Sequence, residues 1–329
     1  GATLSWSVAV AGVAQFLAIA YALHHSGMRL HLPRPRLTPD VKRLLKLALP
    51  GAVAGGIAQI NLLVGNMIAS LQDGAVSYFY YADRLYQLPL GVVGAAIGIV
   101  LLPDLTRRLR LGDSQGVIAS QNRALEFALL LTMPATVALL VIPGPIVSVL
   151  FQRGAFDAVD AHNTAITVAA FAAGLPAYML IKIFAPAFFA REDTVTPLKF
   201  ATISVVANIV LALVLYYFTG FIGVAIATSL AAWVNAGLLA WRGAEIEHLQ
   251  LDDRSRFRLP RIFLSSAGLG LLLWLGAMPL ARFTDGTAGA AGVMALGVLV
   301  VGGMAGFMAM CHFTSAARLS DIRAAVRRS

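Results

Sequence analysis

Long runs of apolar residues, separated by short polar segments, dominate the pattern along this chain. A membrane-spanning helix needs about 20 mostly apolar residues. Nine runs approach or exceed that length, at about residues 4–23, 47–70, 77–103, 124–150, 163–189, 198–218, 221–241, 261–281 and 288–311. They are too long and too evenly apolar for barrel strands, which alternate over about ten residues. The pattern therefore predicts an all-α polytopic membrane protein with about nine transmembrane helices.

Composition agrees with this pattern, because the chain is 59% hydrophobic and only 12% charged. A soluble domain is about 25% charged. The only cysteine, Cys311, excludes an intrachain disulfide and a cysteine-based metal site. No P-loop, HExxH, GxSxG or CxxC pattern occurs in the sequence. Nothing in it therefore indicates ATP hydrolysis or metal chemistry.

Positive charge falls almost entirely on one side of the predicted topology. The net charge of +9 is by itself also typical of nucleic-acid binding. When the loops are assigned to alternating sides, however, 21 of the 25 Lys and Arg residues fall on one side and two on the other. This asymmetry is the positive-inside pattern of membrane proteins. We therefore expect no nucleic-acid partner, a cytoplasmic C-terminus and an N-terminal residue on the outer side.

Charged segments divide the chain into parts. The prediction is one helix (1–24), a basic cytoplasmic connector (25–46), a six-helix lobe (47–242), a cytoplasmic loop (243–260), two extra helices (261–312) and a basic cytoplasmic tail (313–329). Within the connector, Thr38 before Pro39 is typical of a helix N-cap. The chain starts with Gly1 and has no signal-peptide pattern. A chain whose first residue lies on the outer side in this way is expected to be a fragment that lacks about five N-terminal helices.

A charged pair, Asp83 and Arg84, lies near the start of the third predicted helix, in YFYYADRL. An arginine at the membrane centre costs roughly 2.5–3.5 kcal/mol on insertion scales. Successive helical residues point about 100° apart, so Asp83 is a poor direct partner for Arg84. Arg84 therefore either extends to the outer headgroups or faces a water-filled cavity. In such a cavity a guanidinium suits a diphosphate well.

Other polar residues and prolines lie inside predicted helices. Lys182 lies two to three turns from the cytoplasmic end of its helix, where its long stem allows the amine to reach water. Pro89 is either a static kink or a hinge. Asn208 and Thr228 are typical of interhelical hydrogen bonding. Glu126, at the start of the fourth predicted helix, is interpreted as an interfacial group.

Three segments carry a resemblance to known proteins. GAVSYFYYADRLYQLPLGVVGAAIGIVLLPDLTR from residue 74, LFQRGAFDA at 150–158 and FAPAFFAREDTVTPLKFA at 184–201 are similar to signatures of the lipid II flippase family, also called MurJ or MviN. The resemblance extends over essentially the whole chain. It implies a fourteen-helix protein of two six-helix lobes with inverted access, of which this chain carries helices six to fourteen.

The resemblance also implies a function. Such proteins move lipid II, the undecaprenyl-diphosphate-linked disaccharide-peptide, from the cytoplasmic to the outer leaflet of the bacterial inner membrane by alternating access. Arg84 matches a cavity arginine that binds the diphosphate, and Asp83 matches its acidic neighbour. Lys182 is expected at the same substrate site, while Pro89 and Gly91 allow the helix to bend. The last two helices are expected to line a groove for the lipid tail, with membrane lipid and the missing N-terminal helices as further partners.

The resemblance also implies that some family members hold a sodium ion in the second lobe. The matching positions here are Gly65, Asn208, Ala212, the Val224 carbonyl and Thr228. Asn208, Val224 and Thr228 form a candidate cation site, but Gly65 and Ala212 stand where an acidic ligand is expected. Hard cations are usually coordinated by carboxylates or by several other oxygen ligands. This departure weakens the case for sodium and leaves proton or membrane-potential coupling open, with no other cofactor or metal expected.

Other functions stay open from the residues alone. A flippase for another lipid-linked oligosaccharide would share the same chemistry. A drug or metabolite exporter of the same superfamily would need acidic cavity residues for cationic substrates, and no acidic residue lies clearly in the middle of a helix. A membrane scaffold would not need charges inside helices. A membrane enzyme would need a nucleophile–base pair or a metal cluster, and neither stands out, so we expect a protein that is not an enzyme.

Overall fold

All regular secondary structure in the described part of the chain is α-helix. A computed structural model of the chain describes residues 2–26, 38–245, 249–284 and 289–316. Its helices are α1 (Ala2–His25), α2 (Pro39–Ala69), α3 (Ala75–Arg110), α4 (Ser114–Val141), α5 (Pro143–Phe151), α6 (Ala158–Ala172), α7 (Leu175–Phe189), α8 (Val195–Thr219), α9 (Phe221–Glu245), α10 (Asp253–Thr284) and α11 (Ala290–Phe313).

The predicted membrane fold is confirmed. Within the described residues, seven helical segments are long and apolar enough to cross a membrane, counting α6 and α7 together as one segment. Two shorter apolar stretches, Ala9–Leu23 and Gln59–Ala69, lie in α1 and α2. These nine segments correspond in order to the nine apolar runs of the sequence. The chain is therefore an all-α protein with the composition of a multi-pass membrane protein.

Two of the predicted helices are interrupted, and each break lies beside a proline. The run 124–150 corresponds to α4, which begins earlier, at Ser114, and to α5, with the break at Ile142 and Pro143. The run 163–189 corresponds to α6 and α7, with Pro176 in the first turn of α7. Proline lacks an N–H and clashes with the preceding turn, so it is favoured at a helix start. Each of these two predicted spans therefore consists of two helices, and Ala158–Phe189 still counts as a single segment long enough to cross a membrane.

Two helix starts depend on side-chain caps. Val41 N–H donates to the Thr38 hydroxyl at 3.3 Å, and α2 begins at Pro39, so the predicted N-cap is confirmed. Asp252 caps α10 by accepting from Ser255 N–H at 2.7 Å. This cap starts α10 at Asp253, so much of the segment predicted as a loop at 243–260 is helical. A charged sequence is compatible with a helix where its first turn is capped.

The chain divides into two compact units, Gly1–Lys46 and Leu47–Ser329. In the first unit, α1 exposes large apolar side chains such as Trp6 and Phe16. The described part of the second unit contains all of the helices from α3 to α11. Its helices also expose long apolar faces, for example at Val92 and Ile99 of α3. Contiguous exposed apolar surface of this kind marks a protein that faces lipid.

Helix α3 is fixed by packing on both sides within the second unit. Towards its first turns, Phe79 contacts Phe171 of α6 and Phe221 of α9, with ring centroids 5.5 Å and 6.5 Å away. Towards its last turns, Leu101 and Leu105 join a second buried cluster that includes residues of α4, α7, α10 and α11. The polar residues on α3 are therefore carried by a helix that is held along most of its length.

Helices α8 and α9 approach each other very closely at the turn that joins them. Gly220 has φ 63°, in the left-handed region that favours glycine. Phe221 N–H donates to Gln72 Oε1 at 3.2 Å, which satisfies a backbone donor at the start of α9. A Cβ at Gly223 would lie 2.4 Å from the carbonyl carbon of Leu215. Backbone therefore fills the space that a side chain at Gly223 would need.

Candidate functional site

Arg84 lies on α3 and is held by the preceding turn of its own helix. It follows Ala75, the first residue of α3, by nine positions, which is about 14 Å along the axis. Its Nη2 donates to the Tyr80 hydroxyl at 3.3 Å, and its guanidinium carbon lies 4.8 Å from the centroid of the Tyr80 ring. The side chain is exposed. Tyr80 therefore orients the guanidinium without covering it.

Asp83 does not pair with Arg84. Its carboxylate accepts instead from Gln87 Nε2, one turn further along α3. Among the described residues, no ion pair includes Arg84. This matches the expectation that neighbours on a helix point in different directions. The guanidinium consequently keeps donors available for an anion from outside its own helix.

One face of α3 combines polar side chains with glycines. Because successive residues turn by about 100°, Asp83, Gln87, Gly91 and Gly94 lie within about 80° of one another, and Arg84 lies at the edge of this group. We call these five residues the polar face of α3. Val92 points about 180° away from Asp83 and about 140° away from Gln87, and it is 74% exposed. The helix thus separates a polar face from an apolar one.

Lys182 of α7 lies against this polar face. A Cβ at Gly94 would lie 2.6 Å from Lys182 Cδ and 2.8 Å from its Cε, so the lysine stem rests directly on the glycine. The ring of Tyr178, one turn earlier on α7, contacts Tyr86 of α3, with centroids 5.7 Å apart. The structure therefore brings Lys182 to the helix that carries Arg84. Arg84 and Gly94 are about 15 Å apart along that helix.

The two predicted hinge residues lie between these cations. Pro89 is inside α3, which is continuous from Ala75 to Arg110. Gly91 is exposed, and a Cβ there would meet no atom within 4 Å. Neither packing nor a turn requires a glycine at this position. The hinge role of both residues stays a prediction.

The candidate cation positions meet at a buried polar seam between α2, α8 and α9. Asn208 is 3% exposed, and its Nδ2 donates to Asn61 Oδ1 at 2.8 Å. The Oδ1 of Asn208 is buried and accepts no hydrogen bond. The Val224 carbonyl already accepts from the Thr228 hydroxyl at 2.9 Å. Gly65, beside Val224, supplies no ligand.

This seam lacks the acidic ligand that is expected for a sodium ion. Apart from amide oxygens it offers one hydroxyl and one carbonyl, which bond each other. The described residues contain no group of three or more His, Cys, Asp or Glu side chains placed to hold a metal ion. A hard cation prefers carboxylates or many oxygens. Asn208 and Asn61 are explained as an interhelical hydrogen bond of the ordinary kind.

An apolar groove lies between α4, α10 and α11. Its volume is about 370 Å³. Its walls include Leu130 and Pro134 of α4, Leu273 of α10, and Met304 and Phe307 of α11. His312 is among the lining residues, next to the end of α11. A groove with such walls suits a hydrocarbon chain far better than a polar ligand.

Glu126, interpreted from the sequence as an interfacial group, is buried within the protein. Glu126 lies in the fourth turn of α4, is 7% exposed, and is surrounded by arginines of α4 and α10. The sequence did not indicate this burial, because it placed the start of the helix at 124 and α4 begins at Ser114. The arginine-rich segment DDRSRFR at 252–258 has the charge to complement this carboxylate, but nothing in the sequence shows that the two segments meet.

Comparison with known proteins places this arrangement in a family. A model described as "Lipid II flippase MurJ" matches residues 1–313. The chain belongs to the lipid II flippase MurJ family. A relative from Rhizobium meliloti (strain 1021), named "Probable lipid II flippase MurJ", is 46% identical over 334 residues, covering 100% of this chain and 62% of the relative. A relative of the same name from Rickettsia prowazekii is 33% identical and covers 83% of the chain.

Solved structures agree with this assignment. The structure described as "Lipid II flippase MurJ, inward closed conformation" is 26% identical, has a TM-score of 0.67, and covers 85% of this chain and 56% of that one. A multidrug resistance MATE transporter of the MOP superfamily has a TM-score of 0.54 at 16% identity. At that identity the likeness shows a shared fold alone. This MurJ-family chain spans about half to three-fifths of the length of the relatives it matches.

Proposed function

We propose that the protein containing this chain flips lipid II, the undecaprenyl-diphosphate-linked disaccharide-peptide, from the cytoplasmic to the outer leaflet. The observation that carries the proposal is the polar face of α3, which holds Arg84 and is contacted by Lys182 of α7. The same chain also contains an apolar groove between α4, α10 and α11. Lipid II joins an anionic diphosphate to a long apolar tail, and both features have a counterpart here. The family by name transports a lipid, so the activity is transport and not catalysis.

In this proposal Arg84 is the main ligand of the diphosphate. A guanidinium presents a planar fork of N–H donors that matches two phosphate oxygens at once. Tyr80 holds the fork in place through a hydroxyl and a ring contact, which reduces the entropy lost when the anion binds. Asp83, held by Gln87, orients the polar face and keeps its net charge low when the site is empty.

Lys182 supplies a second positive charge further along the same face. Its stem lies on Gly94, so its amine is carried by α3 and α7 together. Lysine is a compact point charge that can follow a phosphate as it moves. Bending of α3 at Pro89 and Gly91 would then carry the bound diphosphate through the cycle of alternating access.

The apolar groove is proposed to take part of the undecaprenyl tail. Its walls on α4, α10 and α11 are almost entirely aliphatic or aromatic. The transport step needs an energy source, and we propose protons or the membrane potential, because the seam at Asn208 does not suit sodium. Moving one charge across the membrane is worth about 2.3 kcal/mol per 100 mV.

The proposed location is the bacterial inner membrane, with the basic loops and the C-terminus in the cytoplasm. The positive-inside asymmetry of the Lys and Arg residues supports this orientation. Partners in the same proposal are the lipid-linked precursor, the surrounding membrane lipid and further helices of the same protein. The relatives are longer than this chain, which supports the last of these.

The test uses cells depleted of their own lipid II flippase. The complete gene that encodes this chain is expressed in them, and the lipid-linked precursor exposed on the outer leaflet is measured. We expect exposure and growth to be restored. Normal membrane abundance without restored exposure would contradict the proposal, and an exporter of the same fold would then be the better account.

A substitution at Gly94 separates the role of Lys182 from folding. In Gly94→Ala the new Cβ displaces the flexible lysine stem, while the helix itself gains about 1 kcal/mol because alanine favours helix over glycine. We expect normal abundance in the membrane. We expect lipid II to bind about tenfold more weakly, which corresponds to the loss of one hydrogen bond to a charged group. Binding of labelled lipid II to the purified protein measures this.

Gly98→Ala is the matched control for Gly94→Ala. Gly98 lies one turn further along the same side of α3, and a Cβ there would meet no atom within 4 Å. We expect this variant to bind lipid II like the wild type. Equal binding by both variants would show that Lys182 contributes nothing from its place on Gly94.

A further inference from the structure

Glu126 is a buried carboxylate that collects an unusual number of positive partners. Its Oε1 accepts from the Ser255 hydroxyl at 2.7 Å and lies 3.1 Å from Arg123 Nη1. Its Oε2 lies 3.2 Å from Arg258 Nη1 and 3.5 Å from Arg254 Nε. One carboxylate of α4 is therefore bound by a serine and two arginines from the first turns of α10, in addition to the arginine of its own helix.

A second set of contacts ties the segment before α10 to α4. Asn122 Nδ2 donates to the Gln250 carbonyl at 2.7 Å, and Asp252 N–H donates to Asn122 Oδ1 at 3.3 Å. Asp252 also forms an ion pair with Arg123. Burial by itself raises the pKa of Asp252, but hydrogen bonds from Ser255 and the charge of Arg123 outweigh it and lower that pKa. Asp252 therefore stays charged at neutral pH and reinforces the junction.

This junction stands at one end of the apolar groove. Leu130, which lines the groove, follows Glu126 by one turn of α4. Further along the same pair of helices, a Cβ at Gly270 would lie 3.0 Å from Val137 Cγ1, so α4 and α10 run side by side in the same direction. The contacts between Glu126 and α10 therefore set where α10 begins its path along the groove.

The position of helix α11 depends on that of α10, because the two helices pack closely along their length. A Cβ at Gly303 of α11 would lie 2.9 Å from Leu273 Cδ2, and a Cβ at Gly268 of α10 would lie 2.6 Å from Met310 Sδ. The two helices thus form one wall of the groove, and α4 forms the other. The spacing between these walls depends on how α10 is attached to α4.

We propose that Glu126 is a positioning residue for the lipid-tail groove. The carboxylate neutralises guanidinium groups that would otherwise repel one another, and it fixes the first turns of α10 against α4. A neutral side chain of the same shape removes the charge-assisted contacts to Arg254 and Arg258 that hold the first turns of α10 against α4. Helix α10 then moves away from α4 and the groove loses its fit to the tail. This inference rests on the proposed function, since it concerns the tail of the same substrate.

The test compares substrates that differ only in the tail. The complete protein is reconstituted in vesicles, and transport is measured for the undecaprenyl precursor and for the same headgroup on a farnesyl tail, which is much shorter. We expect Glu126→Gln to slow the undecaprenyl precursor by about tenfold or more, since misplaced positioning groups cost up to about 10²-fold. We expect the farnesyl rate to stay unchanged and Glu126→Asp to recover most of the loss.

Asp104→Asn is the matched control. Asp104 accepts from Arg107, Arg108 and Ser120 and ties α3 to α4, so it is a similar carboxylate network that does not touch the groove. We expect this variant to change both rates by the same factor.

Three results would overturn the inference. Equal slowing of both precursors by Glu126→Gln would show a structural role without selectivity for the tail, and no slowing would show no role. If Glu126→Gln fails to accumulate, Arg258→Gln replaces it, and tail-independent rates in that variant would count against the inference in the same way. A wild type that transports neither precursor would instead overturn the proposed function, so the two failures are distinguishable.

Discussion

Replacing Arg84 with alanine is expected to abolish outer-leaflet exposure of lipid II while leaving the protein in the membrane. The guanidinium is exposed on the polar face of α3 and forms no ion pair among the described residues, so its removal does not strand a buried partner. Two hydrogen bonds to a charged group are worth about 1.5–3 kcal/mol each, so lipid II binding should weaken by about 10²-fold or more. Binding to purified protein and exposure in flippase-depleted cells measure the two effects.

Two further variants show which property of Arg84 matters. Arg84→Lys keeps the charge but loses the planar fork, so we expect it to recover only a minor part of the binding. Arg110→Ala removes an exposed arginine from the last turn of the same helix and is expected to bind lipid II normally. Normal exposure by Arg84→Ala at equal abundance would contradict the diphosphate role and leave Arg84 as a residue that extends to the headgroups.

The largest effect on folding is expected for Gly223→Ala. The added Cβ would lie 2.4 Å and 2.5 Å from the carbonyl carbon and oxygen of Leu215, and backbone cannot move aside as a side-chain tip can. Overpacking of a well-packed site costs about 1–3 kcal/mol, and here α8 and α9 must separate to relieve it. We expect a clear drop in the thermal midpoint of the detergent-solubilised protein and in its abundance in the membrane.

The same substitution at Gly237 is the control, because Gly237 lies on the same helix and a Cβ there would meet no atom within 4 Å. We expect Gly237→Ala to be neutral or slightly stabilising, since alanine favours helix. If Gly223→Ala and Gly237→Ala have the same midpoint, the close contact between α8 and α9 does not exist in the folded protein.

The features that the sequence predicted well are those set by long apolar runs. Nine such runs correspond to nine apolar helical segments, because an apolar run in a membrane must satisfy its backbone groups within itself as a helix. The N-cap at Thr38 is local chemistry and was likewise predictable. The lack of a pair between Asp83 and Arg84 followed from helix geometry alone.

The features that the sequence could not predict depend on contacts far apart in the chain. The ring of arginines around Glu126 joins α4 to residues about 130 positions later, and neither segment signals the other. The contact between the Lys182 stem and Gly94 likewise depends on the packing of α3 against α7, which the sequence does not show. The breaks at Pro143 and Pro176 were visible as prolines, but apolar composition on both sides of each break hid where the helix stops.

The central claim is that the polar face of α3 binds the diphosphate end of lipid II. The most direct measurement places a photoreactive amino acid at Gln87, one turn from Arg84 on the polar face, and in a second protein at Val92 on the opposite face. Both complete proteins are irradiated in cells that carry labelled lipid-linked precursor. The account predicts a labelled adduct from position 87 and little from position 92. Equal labelling at the two positions, or labelling at 92 alone, would contradict it.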